Sequence, residues 1–80
     1  MTIEFQRLPA VLLARGRKRS AHYEDIRKGL FPRPVLIGDR SVAWPAHWTQ
    51  AINAARLGGA KDEQVRELVA RLEAERKAAQ

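Results

Sequence analysis

Residues 16–45 read GRKRSAHYEDIRKGLFPRPVLIGDRSVAWP. A helix is expected from Lys18 or Arg19 to Lys28, stopped by Gly29, with Pro32 soon after it. Upstream, Leu8-Pro9 can open a helix because proline is tolerated in a first turn. Leu8, Val11 and Leu12 share one face of that helix, and Gly16 ends it as a C-cap. The gap between the two helices is about three residues, the turn length of a helix-turn-helix. Downstream, Phe31-Pro32-Arg33-Pro34 is a stiff extended segment, since two prolines fix the backbone and forbid helix. Val35-Leu36-Ile37 and Val42-Ala43-Trp44 then read as two short strands joined by the turn Gly38-Asp39-Arg40-Ser41. A lone two-stranded hairpin is not stable in water, so it must lean on the helices as a wing.

Working outward, residues 1–7 read as a short extended arm. Pro45 starts a third helix whose buried stripe is Trp48, Ala51, Ile52 and Ala55, at spacings i, i+3, i+4 and i+7. Leu57-Gly58-Gly59 ends it and forms a joint. A last helix begins at Asp62, a good N-cap residue. It carries an apolar seam of Val65, Leu68, Val69 and Leu72, and the acid-then-base pairs Asp62–Arg66, Glu67–Arg71 and Glu73–Lys77 at i,i+4. That seam can pack back on the domain, meet a neighbouring subunit or bind another protein, with self-association on DNA preferred. The expected fold is α+β: a small winged helix-turn-helix over residues 1–57, with a two-stranded hairpin wing. A joint and an extra amphipathic helix follow over residues 58–80.

The charge distribution bounds the function. The chain has 80 residues and a net charge of +6, and all of that excess lies in residues 1–60, which hold ten basic and four acidic side chains. Eight of those ten bases fall between Arg15 and Arg40, a clustering that marks a polyanion partner rather than a merely soluble surface. With no cysteine, disulfides and thiolate metal sites are excluded and an intracellular setting is the natural reading. Met1 to Arg7 carries Glu4 and no long apolar run, so no secretory signal is read there, and no stretch is apolar enough to span a membrane. His22 and His47 have no partners at metal-ligand spacing. No nucleophile–base pair suggests an enzyme, and neither a catalytic residue nor a cofactor is expected.

The order helix, tight turn, basic helix, proline-flanked hairpin and helix resembles the AlpA-type regulators. These are small winged-helix proteins of the MerR-like DNA-binding superfamily that include excisionases, the recombination directionality factors of phages and mobile elements. The matching pieces are RLPAVLLARG, RSAHYEDIRKGLFPRPVLIG and RSVAWP, spanning Arg7 to Pro45, about half of the chain. The set Y-x-x-I-x-x-G-x-F-P-x-P-V, Tyr23 to Val35, is specific as a group though no single member is. The chain departs from the family at Lys18, where Ser is frequent, and at His22 and Asp25, where apolar residues are favoured. The resemblance implies that the second helix enters the major groove and that the hairpin touches backbone or minor groove. It also implies a role in transcriptional control or in directing excision beside an integrase.

On a helical wheel Ile26 and His22 face inward with Leu30, while Ser20, Glu24 and Arg27 face out. Arg17, Arg19, Ser20 and Arg27 are the expected duplex contacts, because a guanidinium offers two parallel donors to phosphate or to a guanine edge. Lys18 and Lys28 are point charges suited to phosphate. Glu24 can accept from cytosine N4 or pair with Lys28, the second being preferred; Tyr23 can bond phosphate or seal the core edge. On the hairpin, Arg33 and Arg40 are candidates for backbone or minor-groove contact. Trp44 and Trp48 fit core packing better than base stacking. The expected partner is double-stranded DNA in a bacterial, nucleoid-associated cytoplasmic setting. Copies would associate head-to-tail on DNA and bend it at an attachment site, with an integrase as a possible further partner. The alternatives are a regulator binding one operator and a basic adaptor for an acidic protein.

Overall fold

Two glycines set the frame that carries the basic helix. In the computed structural model, which describes residues 2–78 (the side chains of 77 and 78 excepted), helix α1 spans Leu8–Arg15 and ends on Gly16, held at φ 66°. The Gly16 and Arg17 amides donate back to the carbonyls of Leu13 and Leu12, at 3.2 and 3.1 Å. Helix α2, Arg19–Arg27, ends the same way at Gly29, φ 77°, with Gly29 and Leu30 donating to the carbonyls of Ile26 and Asp25. This paired closure needs a left-handed residue, which glycine adopts without a Cβ clash. It also drops Leu30 and Phe31 directly into the core, where both are buried.

Strand β2 is Val35–Leu36 and strand β3 is Val42–Pro45; they pair antiparallel, Val35 opposite Ala43 and Leu36 opposite Val42. The Ile37 amide closes the intervening turn on the Ser41 carbonyl at 2.9 Å. The sheet is not the expected two-stranded hairpin. The N-terminal arm supplies strand β1, Phe5–Gln6, which pairs with the other edge of β3 and makes the order β1-β3-β2. Backbone groups of β3 that a hairpin would leave open are thereby satisfied, and the Glu4 carbonyl also accepts from the Ala46 amide at 2.7 Å.

Helix α3, Ala46–Leu57, buries Trp48, Thr49 and Ile52, with Ala51 half-buried against them. Helix α4, Asp62–Ala78, starts with the Gln64 side chain accepting from the Lys61 amide at 2.8 Å, so Asp62 is the first helical residue and not the cap. The seam of α4 packs back on its own chain. Val65, Val69 and Leu72 are buried in one cluster with Val11, Phe31, Trp44, Trp48 and Ile52, and Leu68 leans on it. That cluster uses up the apolar stripe that would otherwise have been free for a neighbouring subunit. No described helix is long and apolar enough to cross a membrane.

Besides the pair Glu73–Arg76 along the helix, at 3.8 Å, the described charges of α4 reach across the molecule. The expected pairs Asp62–Arg66 and Glu67–Arg71 do not form, and Glu73–Lys77 lies outside the described side chains. Arg66 donates to the Lys28 carbonyl at the end of α2 (2.9 Å), and Arg76 to the Pro34 carbonyl (3.2 Å). Glu73 accepts from the Arg33 amide (2.9 Å), and Asp62 pairs with Arg56. Glu75 accepts from Trp48 at 3.1 Å and pairs with His47 at 2.8 Å; the bond from His47 holds its carboxyl below the ordinary range. The bonds of Arg66, Glu73 and Arg76 fasten the segment linking α2 to β2, and those of Asp62 and Glu75 tie α4 to α3.

Candidate nucleic-acid interface

The faces of α2 divide as its sequence pattern demands. His22 and Asp25 are buried and Ala21 and Ile26 are half-buried, while Arg19, Ser20, Tyr23, Glu24 and Arg27 are exposed. Lys18, the N-cap residue, and Lys28, the C-cap residue, are exposed too. The first turn of α2 has no side-chain cap and no acidic residue. Its amides and the positive end of the helix dipole thus sit among Arg17, Lys18 and Arg19, an arrangement that suits an anion.

Behind that face lies a buried polar knot. Asp25 accepts from Arg15 Nη2 at 2.7 Å, from Arg17 Nη2 at 2.9 Å and from Arg17 Nε at 3.1 Å. Arg15 also donates to His22 Nδ1 at 2.8 Å and lies 4.0 Å above the Phe31 ring. Because arginine only donates, Nδ1 must be the acceptor, so the neutral ring keeps its proton on Nε2. Nε2 is buried without a hydrogen-bond partner. The ring is enclosed by Tyr23, Phe31 and Trp44, with centroids 5.0–5.2 Å away. Burial, helped by the Arg15 charge, pushes the His22 pKa down to about 4. Burial likewise lowers that of Arg15 from its usual value, against the opposing bond to Asp25.

This knot changes the standing of three expected contacts. Arg17 is not a free side chain: two of its donors are committed to Asp25, although 44 % of the side chain remains exposed. Glu24 takes Arg27, not Lys28, as its main partner. Arg27 makes two bonds to it, whereas Lys28 Nζ is 3.9 Å away. The bond from Arg27 holds the Glu24 carboxyl below the ordinary range. At three residues' spacing the planar fork meets both carboxylate oxygens, which an ammonium cannot do. Arg33 is exposed and tied to Glu73 through its amide, with Nε at 3.5 Å. Arg40 is exposed on the hairpin turn, and the Tyr23 ring stands nearly perpendicular to that of His22 while 44 % exposed.

Two clefts gather the cations. Arg27 and Arg33 line one of about 420 Å³, together with Glu73. Arg17 lines another of about 450 Å³ with Arg15 and Arg56; Arg40 lines neither. Arg15 and Arg56 were not among the expected contacts. Asp25, too, was not expected inside, although positions 22, 25, 26 and 29 form the inner stripe of the helix and place it there by spacing alone. Among the described residues no group of three His, Cys, Asp or Glu could hold a metal ion.

Residues 4–47, more than half of the chain, match the family model described as Prophage CP4-57 regulatory protein (AlpA). The chain belongs to the AlpA family. The AlpA match covers β1 through the start of α3, and so contains the whole polar knot and the exposed face of α2. A relative, the uncharacterized protein ORF88 of Enterobacteria phage P4, is 44 % identical over 57 residues, which is 71 % of this chain and 65 % of that protein. No solved structure matches.

Proposed function

We propose that this AlpA-family chain is a site-specific DNA-binding regulatory protein of the phage type. Its exposed α2 face would lie in the major groove, and its β2–β3 hairpin would act as a wing on the backbone or minor groove. The observation that carries the reading is the α2 face itself. Lys18, Arg19, Ser20 and Lys28 are exposed at one short helix, with Arg27 beside them paired to Glu24, and the other face is locked into the protein by Asp25 and His22. A rigid helix with a cationic outer face is what groove recognition needs, because phosphate contacts fix its register while a few side chains read base edges.

Within that reading two roles share the surface. A regulator would occupy one operator. An excisionase would coat several adjacent sites, bend the DNA and assist an integrase. The second needs contact between neighbouring copies. One apolar surface available for it lies at the sheet, where Ile3, Phe5 and Leu36 are exposed around a shallow cleft of about 270 Å³. Footprinting on DNA flanking the gene separates the two: one short protected site supports the regulator, and a long phased footprint with cooperative binding supports the excisionase. With about six phosphates neutralised per bound copy, log affinity should fall with log salt at a slope of about −5. Arg19→Ala should weaken binding severalfold with an unchanged melting temperature. A salt-independent affinity, or none for duplex DNA, would defeat the DNA-binding proposal.

A further inference from the structure

We infer that the cleft between the α1–α2 turn and α3 is a phosphate-oxyanion site, formed by Arg17 and Arg56 above the buried Arg15. The inference rests on the DNA-binding reading for one of the two sources of that phosphate. It extends the contact surface from α2 to α3, beyond residues 4–47 shared with the family model.

The argument begins with charge. Three guanidinium groups and one carboxylate, Asp25, line this cleft of about 450 Å³. Asp25 is already engaged by Arg15 and Arg17, which give it three hydrogen bonds. Arg15 feels both neighbours, since the charges of Arg17 and Arg56 each add to the burial that lowers its pKa. An anion in the cleft would relieve that repulsion, and nothing else lining it carries negative charge. Donors are also at hand. A guanidinium has five N–H groups; Arg17 commits Nε and one Nη to Asp25, and Arg56 commits only Nη1, to Asp62 at 3.1 Å. Both side chains remain over 40 % exposed, so their other donors are open to a ligand.

The walls are fixed. Asn53 Nδ2 donates to the Ala14 carbonyl at 3.0 Å and pins α3 against the end of α1. Arg17 immediately precedes Lys18, the N-cap of α2, so an oxyanion held here sits beside the first turn of that helix. One source of such an oxyanion is the backbone phosphodiester of a duplex bound on α2. A free phosphate group would meet the same donors.

The test uses the full chain with Arg56→Gln and Arg56→Lys. Arg56 is chosen because its pairing with Asp62 is exposed and its loss should leave the melting temperature unchanged. If the phosphate is DNA backbone, Arg56→Gln lowers affinity for specific and non-specific duplex equally, about threefold to tenfold. The salt slope then falls in magnitude by about 1, and Arg56→Lys restores it. If the source is a free anion, the slope is unchanged, but inorganic phosphate saturably shifts the Arg17 and Arg56 Nε–Hε NMR signals at constant ionic strength. Arg56→Gln would abolish the Arg17 shift. Should neither occur while the wild-type chain still binds duplex with a steep salt slope, the cleft is merely solvated and the inference fails, leaving the DNA-binding reading intact. If the wild-type chain does not bind duplex at all, that reading fails, and the phosphate titration alone decides the cleft.

Discussion

The two helix pairs of this molecule are held by different chemistry. Helices α3 and α4 meet through Trp48, Ile52, Val65, Val69 and Leu72, all buried and all in one apolar cluster. Helix α2 buries no apolar residue completely; its buried side chains are His22 and Asp25, bonded to Arg15 of α1 and Arg17 of the turn. Apolar packing is non-directional and tolerates rearrangement at constant volume. A bidentate ion pair with a histidine attached permits one geometry. The difference teaches where the stability and the aim of the molecule reside: the α3–α4 side supplies the free energy, and the polar knot fixes the angle at which α2 is presented.

The largest effect should come from the apolar side. Trp48→Ala removes a buried indole and leaves Glu75 without one of its donors. A loss of about 4 kcal/mol is expected, comparable with the whole stability of a chain this small, roughly 4–12 kcal/mol. Urea titration at pH 7 would show it, and a loss under about 1 kcal/mol would mean the cluster is not the main support. Next comes the knot. Asp25→Ala strands a buried Arg15 charge and should cost about 3 kcal/mol. The sharper test is Arg15→Met combined with Asp25→Leu, which replaces the pair by apolar bulk. Stability should return in part, short of the wild type because His22 Nδ1 loses its donor, yet duplex affinity should stay reduced because nothing then fixes α2. Recovery of both would show that the knot has no role in aiming the helix.

What the sequence discloses follows the same division. The boundaries of α1, α2, α3 and α4 are legible because Gly16, Gly29, Gly58-Gly59 and the prolines interrupt the chain at single positions with known backbone preferences. The stripe of Trp48 and Ile52 is legible from its period. Strand β1 is not, since two residues, Phe5 and Gln6, carry no periodicity and gain their partner only when β3 is in place. The outward face of α2 is legible from the wheel, but the commitment of Arg17 to Asp25 is not. Asp25 lies eight positions on from Arg17, and only the backbone path of the α1–α2 turn decides whether the two meet. Arg56 becomes a site candidate for the same reason, since folding alone brings it beside Arg15 and Arg17.

The smallest of these effects isolates one proton in the knot. His22 has a folded pKa of about 4 against about 6.5 in the unfolded chain. Between those values the unfolded chain binds a proton that the folded one refuses, so stability rises with pH across that window. The contribution is complete above pH 6.5 and is lost as pH falls toward 4, amounting to about 2 kcal/mol by pH 5. Asp25, Arg15 and Arg17 surround the ring, so the wild-type slope alone would mix several groups; His22→Phe removes the titrating one. The variant will be less stable at pH 7, because Arg15 Nη1 loses its acceptor. Its stability should nevertheless change less than the wild type's between pH 7 and pH 5, by that same amount. Equal slopes in the two proteins would mean that the imidazole titrates normally. The α1–α2 junction would then be open to water, and the contrast between a polar, aimed half and an apolar, stabilising half would lose its basis.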